Sequence, residues 1–293
     1  MEFNRTELMP GVFLSHLRSD KFKTACMSVT LLTQLRRETA AMNAVIPFVL
    51  RRGTTRYSDM EQLSRRMDEL YGAAVEPVVR RIGEIQCIGF YGSFPEPDYL
   101  PGGEALLGDT CALMAQLLLD PVTRGGLLLP QYVDSEREKL LDIIRSRMND
   151  KRSYALTRCI EEMCCYEDFA VSRFGSESEA ENIHYKKLTR HYRELIQTCP
   201  VEIFYCGKTD FKAVSAAMRD AFSAMPRGEI DYDIGTDLRM NAVEDHVRFV
   251  EEEMDVTQGK LVLGFRLGEC MEEPDIPALY VFNAVYGSGA TSK

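Results

Sequence analysis

The chain has 293 residues, 45% of them hydrophobic, which is ample apolar mass for one large or two smaller domains. Its 45 acidic against 35 basic residues give a net charge of −10, which argues against nucleic acid or an anionic membrane surface as a partner. The longest apolar run, residues 113–119, stops at Asp120-Pro121 and is too short to cross a membrane. The opening MEFNRTELMPGVFL lacks the basic stretch and apolar core of a signal peptide. Nine cysteines are scattered without a C-x-x-C, and Cys164-Cys165 are adjacent, which reads as free thiols in a reducing cytoplasm.

In chain order, residues 11–17 and 24–32 read as two strands joined by a polar turn. A helix is predicted over 37–51. A second follows from Ser58-Asp59, with Ser58 and Glu61 at capping-box offset and Gly72 as its stop. Residues 75–79 and 85–94 form a strand pair turned at Gly83, and 95–103 (PEPDYLPGG) is a loop. Helices follow, one ending at Leu119 and others over 130–148, 153–165 and 184–197; then come a strand over 201–206 and a helix over 210–222. Residues 225–236 carry no periodicity and read as a linker, followed by strands over 246–252 and 260–267. Strand pairs separated by runs of helices predict an α+β fold with a mainly antiparallel sheet covered by helices.

Two stretches carry the functional signal. Residues 42–54 read MNAVIPFVLRRGT, and residues 132–144 read YVDSEREKLLDII. They resemble the two metal-binding helices of the insulinase/pitrilysin family of zinc peptidases, where the first carries H-x-x-E-H before a K-G-T or R-G-T ending and the second E-R-x-x-V-x-x-E-E. Anchored on Gly53-Thr54, the family's histidines fall on Ala44 and Phe48 and its catalytic glutamate on Pro47. Anchored on Glu136-Arg137, the third ligand falls on Ile143; a shifted register would put Asp142 or Glu138 there. Glu136 itself matches a carboxylate behind the ligands of active relatives.

The resemblance extends along the chain. Glu69 to Gly72 matches an E-x-x-G turn, Phe169 to Gly175 is similar to a P-F-x-x-x-x-x-G segment, and His191-Tyr192 matches an F-Y or H-Y helix motif. Val281 to Lys293 resembles the opening of a homologous second domain. The implied organisation is a metallopeptidase-like domain over residues 1–226, a linker over 227–243 and the start of a second domain, apparently truncated, over 244–293. Residues 95–103 and 123–129 read as insertions relative to active members.

Zinc hydrolysis needs three N, O or S ligands and a carboxylate to take the water's proton. Ala44, Pro47, Phe48 and Ile143 supply none of these. The sequence therefore predicts no metal, no cofactor and no catalysis by this chain alone. The resemblance implies a non-catalytic subunit that encloses peptide substrate together with a metal-bearing paralogue. An active zinc metalloendopeptidase with ligands elsewhere, and a non-proteolytic scaffold, remain as alternatives. His184 and His191 read as surface positions of an amphipathic helix, and Arg51 and Arg52 as exposed or as lining a cavity for an acidic peptide.

Overall fold

The computed structural model describes residues 2–235, 247–267 and 275–287. The architecture grows from strands whose alternate residues differ sharply in burial. In β3 (Thr24–Gln34), Ala25, Met27, Val29 and Leu31 are buried while Cys26, Ser28 and Thr30 are half-exposed, the pattern of a sheet with one face on the core. Six strands form that sheet: β1 (Glu2–Met9), β2 (Val12–Arg18), β3, β4 (Ala74–Ile82), β5 (Ile85–Pro95) and β8 (Val201–Gly207).

Their order is β1-β2-β8-β3-β5-β4. All neighbours are antiparallel except β2 and β8, which run parallel, a pairing that the long crossover between them allows. The α+β reading, with a mainly antiparallel sheet, is what the structure shows.

The helices are α1 (Ala40–Leu50), α2 (Met60–Glu69), α3 (Leu107–Leu119), α4 (Pro130–Ser146), α5 (Lys151–Met163), α6 (Glu177–Glu181), α7 (Tyr185–Thr198), α8 (Phe211–Ala221) and α9 (Ile276–Tyr286). Helices α1, α3, α7 and α8 pack onto the sheet and share one core with its inward residues, among them Leu14, Val29, Ile46, Phe90, Met114, Ile203 and Val214.

Several details differ from the sequence reading. Strand β1 was not foreseen, because its buried residue Leu8 stands alone in a polar, exposed edge. Helix α2 is capped by Asp59, whose side chain accepts from the Gln62 backbone N–H at 2.9 Å, so Ser58 and Glu61 do not form the box. The capping box occurs instead at α6, between Ser176 and Glu179. Residues 123–129 hold a small hairpin of β6 (Thr123–Arg124) and β7 (Leu127–Leu128).

The strands expected over 246–252 and 260–267 are not formed; among the described residues of these spans the backbone is irregular and pairs with no strand. Alternation of side chains makes a strand only where a neighbouring ladder satisfies the backbone, and none lies beside these residues among the described ones. They run along α5 instead. Glu252 accepts from Tyr154 Oη at 2.9 Å and pairs with Arg158 at 2.7 Å, and Arg266 pairs with Glu167 at 2.5 Å. His246 and residues 288–293 of the glycine-rich ending lie outside the described residues, as do 236–243 of the expected linker.

Candidate functional site

Helix α1 is made by burial. Its sequence AAMNAVIPFVL carries no charge, and Thr39 at its start makes no side-chain cap; every residue except Phe48 is buried. Pro47 sits inside it and has no N–H to offer the Asn43 carbonyl. Helix α4 is amphipathic, opened by Pro130 at its first position, with Val133, Glu136, Leu140 and Leu141 buried.

Two anchors fix how these helices meet. At the C-terminal end of α1, Arg52 Nε lies 2.6 Å from Glu136 Oε1 near the start of α4, and Arg52 Nη2 donates to Ser135 Oγ at 2.7 Å. At the other end, Gly175 packs so tightly on Ala41 that an added Cβ would fall 2.6 Å from the Ala41 nitrogen. Two residues further on, Glu177 accepts from Arg145 Nε at 2.6 Å near the end of α4. The end of α1 therefore meets the start of α4, and its start meets the end of α4: the pair is antiparallel.

This frame locates the four positions singled out in the sequence. Residues four apart share a helix face, so Ala44 and Phe48 lie on the face of α1 that continues to Arg52. Seven residues are almost two full turns, so Ile143 shares the face of α4 that carries Glu136. Ala44 is fully buried, Pro47 is buried, and Phe48 and Ile143 are half-buried. The alternative residues point elsewhere: Asp142 is exposed, and Glu138 is exposed and paired with Arg137 at 3.0 Å.

The donor chemistry of this interhelical layer does not suit zinc. Alanine, phenylalanine and isoleucine have no lone pair for a metal, and proline cannot act as a general base. Among the described residues, no group of three or more His, Cys, Asp or Glu side chains is arranged to hold a metal ion.

Glu136 is only 5% exposed yet keeps two cationic partners, Arg52 and, at 2.8 Å, Lys139. Arg52 also lies over the Tyr132 ring. Arg51 donates through Nε to the Val75 carbonyl at 2.7 Å. Both arginines are thus half-buried ties between α1 and its neighbours rather than solvent-exposed charges.

A buried polar chain beside this layer was missed in the sequence. Asn43 and Gln86 are both 0% exposed. Asn43 Nδ2 donates to Gln86 Oε1 at 2.8 Å, and Gln86 Nε2 donates to the carbonyls of Ala40 at 3.0 Å and Arg173 at 2.7 Å. Asn43 Oδ1 is then the acceptor for His191, so the imidazole Nε2–H donates across 2.5 Å. His191 is therefore half-buried, with one face tied into the core rather than fully on the surface. Burial lowers its pKa below the ordinary 6.5; Glu194 opposes the shift and Lys187 adds to it. His184, by contrast, is exposed and caps α7. The available signal was a lone amide in an otherwise apolar helix.

With this geometry in place, comparison with known proteins is informative. No family model matches the chain. It is 30% identical, over 99% of its own length and 67% of the relative's, to the Bacillus subtilis (strain 168) protein named "Probable inactive metalloprotease YmfF". It superposes on a conserved protein from Enterococcus faecalis V583 with a TM-score of 0.73 at 21% identity, covering 79% of this chain and 54% of that one. A peptidase M16 inactive domain from Pseudomonas fluorescens gives a TM-score of 0.62 at 10% identity over 80% and 53% of the two chains. The chain thus spans about half the length of these solved structures. It belongs to the insulinase/pitrilysin (M16) family and is a homologue of its inactive metalloproteases.

Proposed function

We propose that this chain belongs to a non-catalytic subunit that encloses extended peptide substrate together with a metal-bearing insulinase-family paralogue. One observation carries the reading: the antiparallel α1–α4 frame, tied by Arg52 to Glu136 at one end and through the Arg145–Glu177 pair of α4 and α6 at the other, surrounds Ala44, Pro47, Phe48 and Ile143, and no group of three or more metal-donor side chains is found among the described residues. In this reading Ala44, Pro47, Phe48 and Ile143 occupy the positions of two histidines, the base and the third ligand. A frame kept without its chemistry fits a wall or a binding surface better than it fits a catalyst.

The same proposal assigns residues 1–226 to the metallopeptidase-like domain, 227–243 to a linker and 244–293 to the beginning of a homologous second domain. It also places the protein in the cytoplasm, which fits the free-thiol state of the eight described cysteines in this structure. Among the described residues no helix is long and apolar enough to cross a membrane.

The test is to express the complete protein with an H-x-x-E-H-bearing paralogue from the same cell and follow both elution and peptide cleavage. Co-elution, with faster cleavage than the paralogue achieves alone, is the expected result. Separate elution and unchanged cleavage would leave a non-proteolytic scaffold as the better reading. Cleavage by this protein alone, abolished by a chelator, would return it to the active zinc peptidases.

A further inference from the structure

The register of the sheet places two thiols opposite one another. Cys26 on β3 is the direct partner of Cys206 on β8, across an antiparallel pair. Residues opposed in this way project from the same face, with Cβ atoms about 4.5–5.5 Å apart. A disulfide spans Cα atoms about 4.4–6.8 Å apart and Cβ atoms about 3.5–4.5 Å apart, so closing the bond takes a small local adjustment.

Both residues lie on the sheet face away from the packed helices, since their neighbours Ala25, Met27 and Tyr205 fill the core on the other side. Cys26 is half-exposed, whereas Cys206 is 8% exposed. Leu17 of β2 stands beside Cys206, and Ser93 of β5 beside Cys26. The two thiols influence one another: burial pushes the Cys206 thiol up, and the adjacent Cys26 thiol pushes it further. Tyr91 of β5 stands opposite Ser28, two residues along β3 from Cys26; its pKa is raised by burial first and then by the Cys26 thiol.

We propose that Cys26 and Cys206 are an oxidisable cross-strand dithiol, a modification site for low-molecular-weight disulfides. Accessibility sets the order of events. The Cys26 thiolate attacks one sulfur of a disulfide RSSR, forming the mixed disulfide Cys26–S–S–R and releasing RS⁻. The Cys206 thiolate then attacks the Cys26 sulfur and expels the second RS⁻. Two protein thiols are oxidised, one RSSR is reduced, and the two protons lost by the cysteines end on two RSH. The bond ties the strand that leads into α1 to the strand that follows α7, over a separation of 180 residues, and so locks the middle of the sheet.

The experiment treats the reduced, folded protein with oxidised glutathione, quenches with acid, labels remaining thiols with N-ethylmaleimide and maps tryptic peptides by mass spectrometry. The peptide spanning residues 24–36 should be joined to that spanning 194–208, with fragmentation placing the link at Cys206 and leaving Cys199 labelled. In Cys206→Ser, the mixed glutathione disulfide should persist on Cys26 with no joined peptide. The proposal is overturned if the wild-type protein keeps both thiols labelled, or stops at the glutathione adduct. It is equally overturned if the two peptides join only after urea denaturation or through Cys199. Wild-type mapping decides the matter even if the serine variant folds poorly.

Discussion

Asn43 holds together three elements that lie far apart in the chain: α1 through its own backbone, β5 through Gln86 and α7 through His191. Asn43→Ala leaves the buried Gln86 oxygen and the His191 Nε2–H without these partners. A loss of about 1–3 kcal/mol is expected for such orphaned groups, readable in urea denaturation. His191 gives the site a pH dependence of definite sign. Its native pKa lies below the unfolded value of 6.5, so the unfolded chain binds the extra proton first. The stability it contributes is complete above pH 6.5 and is lost as the pH falls through the depressed native value. Denaturation midpoints should therefore fall less steeply below pH 6.5 in His191→Gln than in the wild type; identical slopes would contradict the half-buried, neutral imidazole. None of this network was legible in the sequence. Helical spacing put His191 on an amphipathic helix, but nothing local says that its partner stands 148 residues away.

At the scale of elements, the α1–α4 pair depends on its two ends. Gly175 has φ +70°, and its added Cβ would collide with Ala41 backbone. Gly175→Ala should therefore cost more than the roughly 1–2 kcal/mol of a left-handed alanine alone, and thermal unfolding of the variant measures it. At the other end, Arg52→Ala removes the hydrogen bond to Ser135 and leaves the buried Glu136 with Lys139 as its remaining cation. A loss of about 1–3 kcal/mol is the expectation for a charge-assisted contact that stays partly exposed on the arginine side. Both helices were readable in advance, α4 from its apolar spacing and α1 from an uncharged run ending at Arg51. Edge strand β1 was not, because an exposed edge has little apolar pattern to reveal it. The spans near 246–252 and 260–267 failed in the opposite sense: they have the alternation of strands but no ladder beside them among the described residues.

At the scale of the whole molecule, the α+β class followed from the order of strand pairs and helix runs, and the family from a series of partial motifs spread along the chain. The sheet order did not follow, since inserting β8 between β2 and β3 is a long-range event with no local mark in Val201–Gly207. The central claim is that Ala44, Pro47, Phe48 and Ile143 stand in place of a zinc site within a peptidase-family frame, and zinc titration by calorimetry tests it most directly. The complete protein is compared with a variant carrying Ala44→His, Pro47→Glu, Phe48→His and Ile143→Glu, folding of both being checked by circular dichroism. The account predicts no stoichiometric zinc in the wild type and chelator-reversible zinc binding in the variant. Stoichiometric zinc in the wild type, or a folded variant that binds none, would contradict it.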